Sequence, residues 1–137
     1  YYASRGLGDV YKRQNPLSLA FVGDAVFTLY VRERLINEHD GKSGYLHRLA
    51  SKLVCAAAQA RMLDALSPSF TDEESEIARR SRNSHNTSKA KNAGLSDYKK
   101  ATALEGVFGF LRVTGQIERL EELMKRCVDI METGGND

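Results

Sequence analysis

The chain of 137 residues is 42% hydrophobic and 28% charged with a formal net charge of +2, which suffices for one domain with its own core and not for two. It has no apolar run of about 18 residues and no N-terminal pairing of a basic stretch with an apolar core and a small-residue cleavage site, so neither a spanning helix nor a secretory leader is expected. Cys55 and Cys127 lack partners at metal-ligand or CxxC spacing, so the expectation is a reduced, cytoplasmic protein without a membrane partner.

Residues 1–14, YYASRGLGDVYKRQ, show no helical or strand period and resemble translated adapter sequence. They are set apart from the fold, as a tag would be, with the native N-terminus expected to be missing and the domain expected over 15–137. This segment holds three basic residues against one acid, so it carries the whole net charge and the remaining 123 residues are neutral.

Asn15 and Pro16 read as an N-cap with proline in the first helical position. They open a helix to about Glu38 whose apolar residues, from Leu17, Leu19 and Phe21 to Leu35 and Ile36, cover nearly every face, so a central helix surrounded by protein is predicted. After the break at Asp40, Gly41 and Gly44, apolar residues recur at three- and four-residue steps from Leu46 to Leu66, predicting a second helix that Pro68 stops. Thr71 and Glu74 form a capping box for a third, which starts acidic and ends in Arg79, Arg80 and Arg82, matching the helix dipole. The polar stretch 83–95 is a long loop. Ser96 or Asp97 is expected to cap a fourth helix carrying Tyr98, Ala101, Leu104, Val107, Phe108 and Leu111 to Gly115. The last helix buries Ile117, Leu120, Met124, Cys127, Val128 and Met131, with Glu121–Lys125 and Glu122–Arg126 as exposed i,i+4 pairs. No segment alternates as a strand does, so the fold class is all-α, a bundle of about five main helices.

Two acids stand out. Asp24 in LAFVGDAVF and Glu105 in ATALEGVFGF lie in apolar helices, where an unpaired carboxylate costs several kcal/mol. Two such acids from distant segments can converge on a hard divalent cation, magnesium first; the alternative is pairing with an arginine such as Arg32, Arg48 or Arg61. Gly23 beside Asp24, and Gly106 with Gly109 after Glu105, each cost ~1 kcal/mol of helix propensity, which a helix accepts where something must approach closely.

The residues 19–26, LAFVGDAV, are similar to the signature helix of the ribonuclease III superfamily, and 103–109, ALEGVFG, to its second acidic helix. With Leu46-His47, the stretch 79–92 and the order of helices, the chain from about Leu17 to Met131 resembles the Mini-ribonuclease III branch, a catalytic domain without a double-stranded-RNA-binding domain. The resemblance implies a ribonuclease III endonuclease-type bundle, a homodimer, and magnesium-dependent cleavage of double-stranded RNA that leaves 5′-phosphate and 3′-hydroxyl ends, with large-subunit ribosomal RNA maturation as the associated role. Carried over by position, Asp24 and Glu105 are the catalytic, metal-binding acids. Other superfamily members have a Glu four residues before the Asp and an Asp three residues before the Glu; Ala20 and Thr102 stand there in this chain, as fits the Mini branch, which leaves two carboxylates per site. Ser18 and Thr102 are candidates for holding waters around a metal, although such residues in helices more often bond their own backbone.

Between residues 79 and 100 the cations Arg79, Arg80, Arg82, Lys89, Lys91, Lys99 and Lys100 face one acid, Asp97, and are interleaved with Asn83, His85 and other polar residues. A basic loop of this kind is commonly just solvated; under the resemblance it becomes the expected contact to phosphates and 2′-hydroxyls of A-form RNA. His47 and His85 have no visible acid partner. Two rival readings are a non-catalytic RNA-binding protein on the same fold and a helical interaction module whose acids pair with arginines in the core.

Overall fold

The computed structural model describes residues 15–84 and 94–134, and every regular element in them is helical. In chain order they are α1 (Pro16–Glu38), α2 (Ser43–Val54), α3 (Ala56–Leu66), a 3-10 turn at Ser67–Ser69, α4 (Asp72–Asn83), α5 (Leu95–Val113) and α6 (Ile117–Gly134). Residues 1–14, together with His85, Lys89 and Lys91, lie outside the described residues.

The all-α expectation holds, with one helix more than foreseen. The periodic segment from Leu46 to Leu66 is two helices, broken at Cys55, whose backbone is extended at ψ 158°. No glycine or proline marks that break. Its cause is packing: α2 lies on α1, whereas α3 lies on α5 and α6, and one straight helix cannot reach both.

The expected caps hold in two places out of three. The Asn15 side chain accepts from the Leu17 N–H at 3.0 Å, with Pro16 in the first turn. In α4 both arms of the capping box form, Glu74 N–H to Thr71 Oγ1 at 3.1 Å and Thr71 N–H to Glu74 Oε1 at 2.9 Å. For α5 the cap is Gly94, without a side-chain bond; Asp97 falls inside the first turn, where its charge suits the helix dipole. That helix ends as expected at Gly115, whose φ of 76° is open to glycine at little cost.

The central helix is α5, not α1. It packs on α1, α3, α4 and α6 and buries ten of its residues. Along α1 the inward face, Leu19, Phe27, Val31 and Leu35, joins the core, with the Phe27 and Phe108 rings 5.3 Å apart. Its other apolar face is open: Leu17, Leu29, Ile36 and above all Phe21, 82% accessible, meet solvent in the single chain. An all-round apolar helix thus serves two surfaces, and only one of them is the core.

Ion pairs tie the periphery. Arg119 reaches from α6 to the buried Glu74 through two bonds of 2.9 and 3.0 Å and also donates to the Ser69 carbonyl. Burial alone would raise the Glu74 carboxyl, but these bonds and the Thr71 N–H hold it below the usual carboxylate range. The i,i+4 pairs expected on α6 are replaced, because its arginines turn toward α4 and the 3-10 turn. Glu122 pairs with Arg119, Lys125 with Asp129, and Arg126 donates to Ser69 Oγ at 2.8 Å.

Candidate active site

Two glycines set the geometry of the site. A Cβ on Gly23 would fall on the Glu105 carbonyl oxygen, and one on Gly109 would fall on the Leu19 carbonyl oxygen. The contacts are reciprocal and run in opposite chain directions, so α1 and α5 cross antiparallel with backbone against backbone. Any side chain at either position would push the helices apart. On the far side of α5, Gly106 receives the Ser81 side chain of α4 in the same manner. Glu105 is therefore held by close approaches on two faces of its helix.

This crossing brings Asp24 and Glu105 together. Glu105 is half-buried, and burial, followed by a hydrogen bond and repulsion from the Asp24 carboxylate, pushes its carboxyl up to about 8. The expectation that both acids are buried needs correction: Asp24 is exposed. It lies beside the open apolar face of α1, so its apolar neighbours in sequence do not enclose it. The arginine-pairing alternative is not realised either. Among the described residues, no ion pair reaches Asp24 or Glu105 from Arg32, Arg48, Arg61 or any other cation.

Two carboxyls in contact, with no ion pair to a cation among the described residues, are groups that could share one. Among the described residues no third His, Cys, Asp or Glu completes a cluster. A hard cation held here has two protein carboxylates and takes the rest of its oxygens from water or a phosphodiester, the manner in which magnesium is commonly bound. The residues present fit that ion. Ala20 and Thr102 are both buried beside the pair. The Thr102 hydroxyl does not turn to the site: it donates to the Tyr98 carbonyl at 3.1 Å, the backbone bond that threonine commonly makes in a helix. Ser18 is exposed.

The basic residues are only partly assembled by the fold. Arg82 and Asn83 are exposed at the end of α4, directly after Ser81 and so within a turn of the Gly106 contact beside Glu105. Arg80 is half-buried on the same helix. Arg79 is exposed but bonded to Glu76 at 2.7 Å, and Lys100 is turned to Asp64 at 3.0 Å, so part of the expected charge is internally compensated. Lys99 is half-buried. Arg79 and Arg82 also line a groove with Ser67, Phe70, Ser75 and Ala103, where α3 and α4 both lie on α5. His47 is exposed on α2, and no ion pair reaches it among the described residues. Sequence reasoning missed two features: Ser81, fully buried with a hydroxyl that bonds nothing among the described residues, and the place of Tyr98 on the Glu105 face. The second was legible, since residues seven apart share a helical face.

The Ribonuclease III domain family matches residues 17–116. The chain is 41% identical over 120 residues to the Mini-ribonuclease 3 of Enterococcus faecalis, covering 86% of this chain and 91% of the relative. It is 41% identical over 122 residues to that of Staphylococcus aureus, covering 88% and 91%. The fold is similar to an X-ray structure of a Fusobacterium nucleatum protein with a TM-score of 0.76 at 22% identity, covering 85% of this chain and 93% of the other.

Proposed function

The chain belongs to the ribonuclease III family of endoribonucleases, and from that premise we propose that it cuts double-stranded RNA with magnesium, leaving 5′-phosphate and 3′-hydroxyl ends, in the maturation of large-subunit ribosomal RNA in the cytoplasm. The catalytic domain is residues 15–137. The observation that carries the reading is the Asp24–Glu105 pair, two carboxyls in contact with no counter-cation among the described residues.

Asp24 and Glu105 would hold the magnesium, which when bound would supply Lewis acidity toward a phosphodiester and activate water. Asp24 is open to solvent, whereas Glu105 is half-buried with its carboxyl pushed up to about 8, so Glu105 would have to lose its proton for both acids to ligate a cation. The glycine crossing keeps their spacing fixed, so little reorganisation is needed when substrate arrives. Arg82 and Asn83 at the end of α4, with Arg79, Arg80, Lys99 and Lys100 and with His85, Lys89 and Lys91, guide the duplex.

The protein acts as a homodimer. Leu17, Phe21, Leu29 and Ile36 form an exposed apolar stripe on α1 that continues into a cleft lined by Leu35, Ile36, Leu46 and Ala50, and a second copy burying it gains the apolar contact that a single chain forgoes. Asp24 sits on the same helix, so pairing through this stripe sets two acid pairs in one assembly, one per RNA strand.

The test is cleavage of duplex RNA in magnesium, beside EDTA, Asp24→Asn and Glu105→Gln. Cutting that requires magnesium and is lost in both variants supports the reading, and the product ends are read by their susceptibility to phosphatase and ligase. Duplex RNA that is bound but never cut in any metal would establish the binding-protein alternative.

A further inference from the structure

Seven residues before Glu105 on α5 stands Tyr98. Seven steps of about 100° return to within about 20° of the starting direction, so Tyr98 and Glu105 share one face, about 10 Å apart along the axis. Between them on that face is Thr102, which is buried and anchored to the Tyr98 carbonyl. α5 is otherwise the most enclosed helix of the fold, yet Tyr98 is 39% accessible. A large aromatic side chain is thus partly exposed on the acid-bearing face of the central helix. Lys99 follows it in the chain.

Resting on the duplex-RNA reading above, we propose that Tyr98 is a substrate-positioning residue, its hydroxyl donating to the phosphate or ribose backbone of the strand whose scissile bond lies at Asp24 and Glu105. Bases inside a duplex are not open to stacking, whereas backbone oxygens and 2′-hydroxyls of A-form RNA line its accessible groove. A phenol suits that surface: its ring lies along the ribose edge and its hydroxyl reaches an anionic oxygen, a bond stronger than one between neutral groups. The contact lies away from the cut, so it governs the binding and register of the strand and leaves the chemistry to the two acids.

The experiment compares the full chain with Tyr98→Phe and Tyr98→Ala, using a duplex RNA of defined sequence. Affinity is measured in EDTA, and KM and kcat in magnesium. Tyr98→Phe keeps the ring and removes only the hydroxyl. It is expected to weaken binding and raise KM about tenfold, while kcat stays within about twofold and thermal stability is unchanged. Tyr98→Ala is expected to lose at least as much and to blur the position of the cut. Wild-type affinity and KM in Tyr98→Phe would overturn the proposal, as would a fall in kcat at unchanged KM. Failure of the unsubstituted chain to bind duplex RNA would instead reject the reading on which the proposal rests.

Discussion

Replacing Gly23 by alanine tests whether the glycine crossing holds the acid pair together. The new methyl would overlap the Glu105 carbonyl group and come within 2.9 Å of the Gly109 backbone nitrogen, and none of these is a side chain that can rotate away. Restoring an ordinary contact of about 3.5–4 Å requires α1 and α5 to separate by roughly 2 Å. Overpacking of this kind costs about 1–3 kcal/mol where side chains yield, and more where backbone meets backbone. Against it stands the ~1 kcal/mol that alanine gains over glycine in a helix. A net loss of about 3 kcal/mol lowers Tm by about 10 °C for a domain of this size. The same separation moves Asp24 from Glu105, so under the proposed function cleavage is expected to fall by at least tenfold at a temperature where the variant is still folded. Thermal unfolding by circular dichroism and a cleavage time course measure the two effects. A variant with wild-type Tm and wild-type cleavage would refute the claim that this crossing governs the site.

Glu105 also predicts a pH dependence. In the metal-free protein its carboxyl is raised from 4.5 to about 8, so its contribution is full below about pH 4.5 and is lost as pH climbs through about 8. Discounted for the solvent around Asp24, the loss is on the order of 2 kcal/mol. Unfolding in EDTA between about pH 5 and 9 should therefore show the wild type weakening while Glu105→Gln stays flat, and parallel curves would contradict the assignment. Arg119→Ala strands the buried Glu74 and is expected to cost about 3 kcal/mol; below the folded-state value of Glu74, which lies under 4.5, the difference from wild type should shrink, because the carboxyl is then neutral in both. Phe21→Ser, at a side chain 82% accessible, should leave single-chain packing intact and shift the protein toward monomer in sedimentation, and an unchanged dimer would remove the stripe from the interface.

Local chemistry written in short stretches of sequence was sufficient for much of the fold. The Asn15–Pro16 start of α1, the Thr71–Glu74 capping box and the Gly115 stop of α5 depend on residues within a turn of one another, so reading the chain is enough to find them. The candidate acids stood out for a related reason, as carboxylates inside apolar helical patterns, although the burial that pattern implies holds for Glu105 and not for Asp24. Their partners were a different matter. That Asp24 and Glu105 supply one another, with Glu105 half-buried and Asp24 open, follows from the antiparallel crossing at Gly23 and Gly109, a contact between segments some eighty residues apart. Hydrophobic periodicity reports that a face is apolar without reporting what covers it, so α1 read as a central helix although its Phe21 face is open and α5 takes the centre. The break at Cys55 carries no local signal either, because it is imposed by two separate packing surfaces. Charges on long side chains behaved likewise: Arg119 and Lys100 found acids on other helices and Arg126 the Ser69 hydroxyl, since a flexible cation takes whichever acceptor the tertiary fold brings within reach.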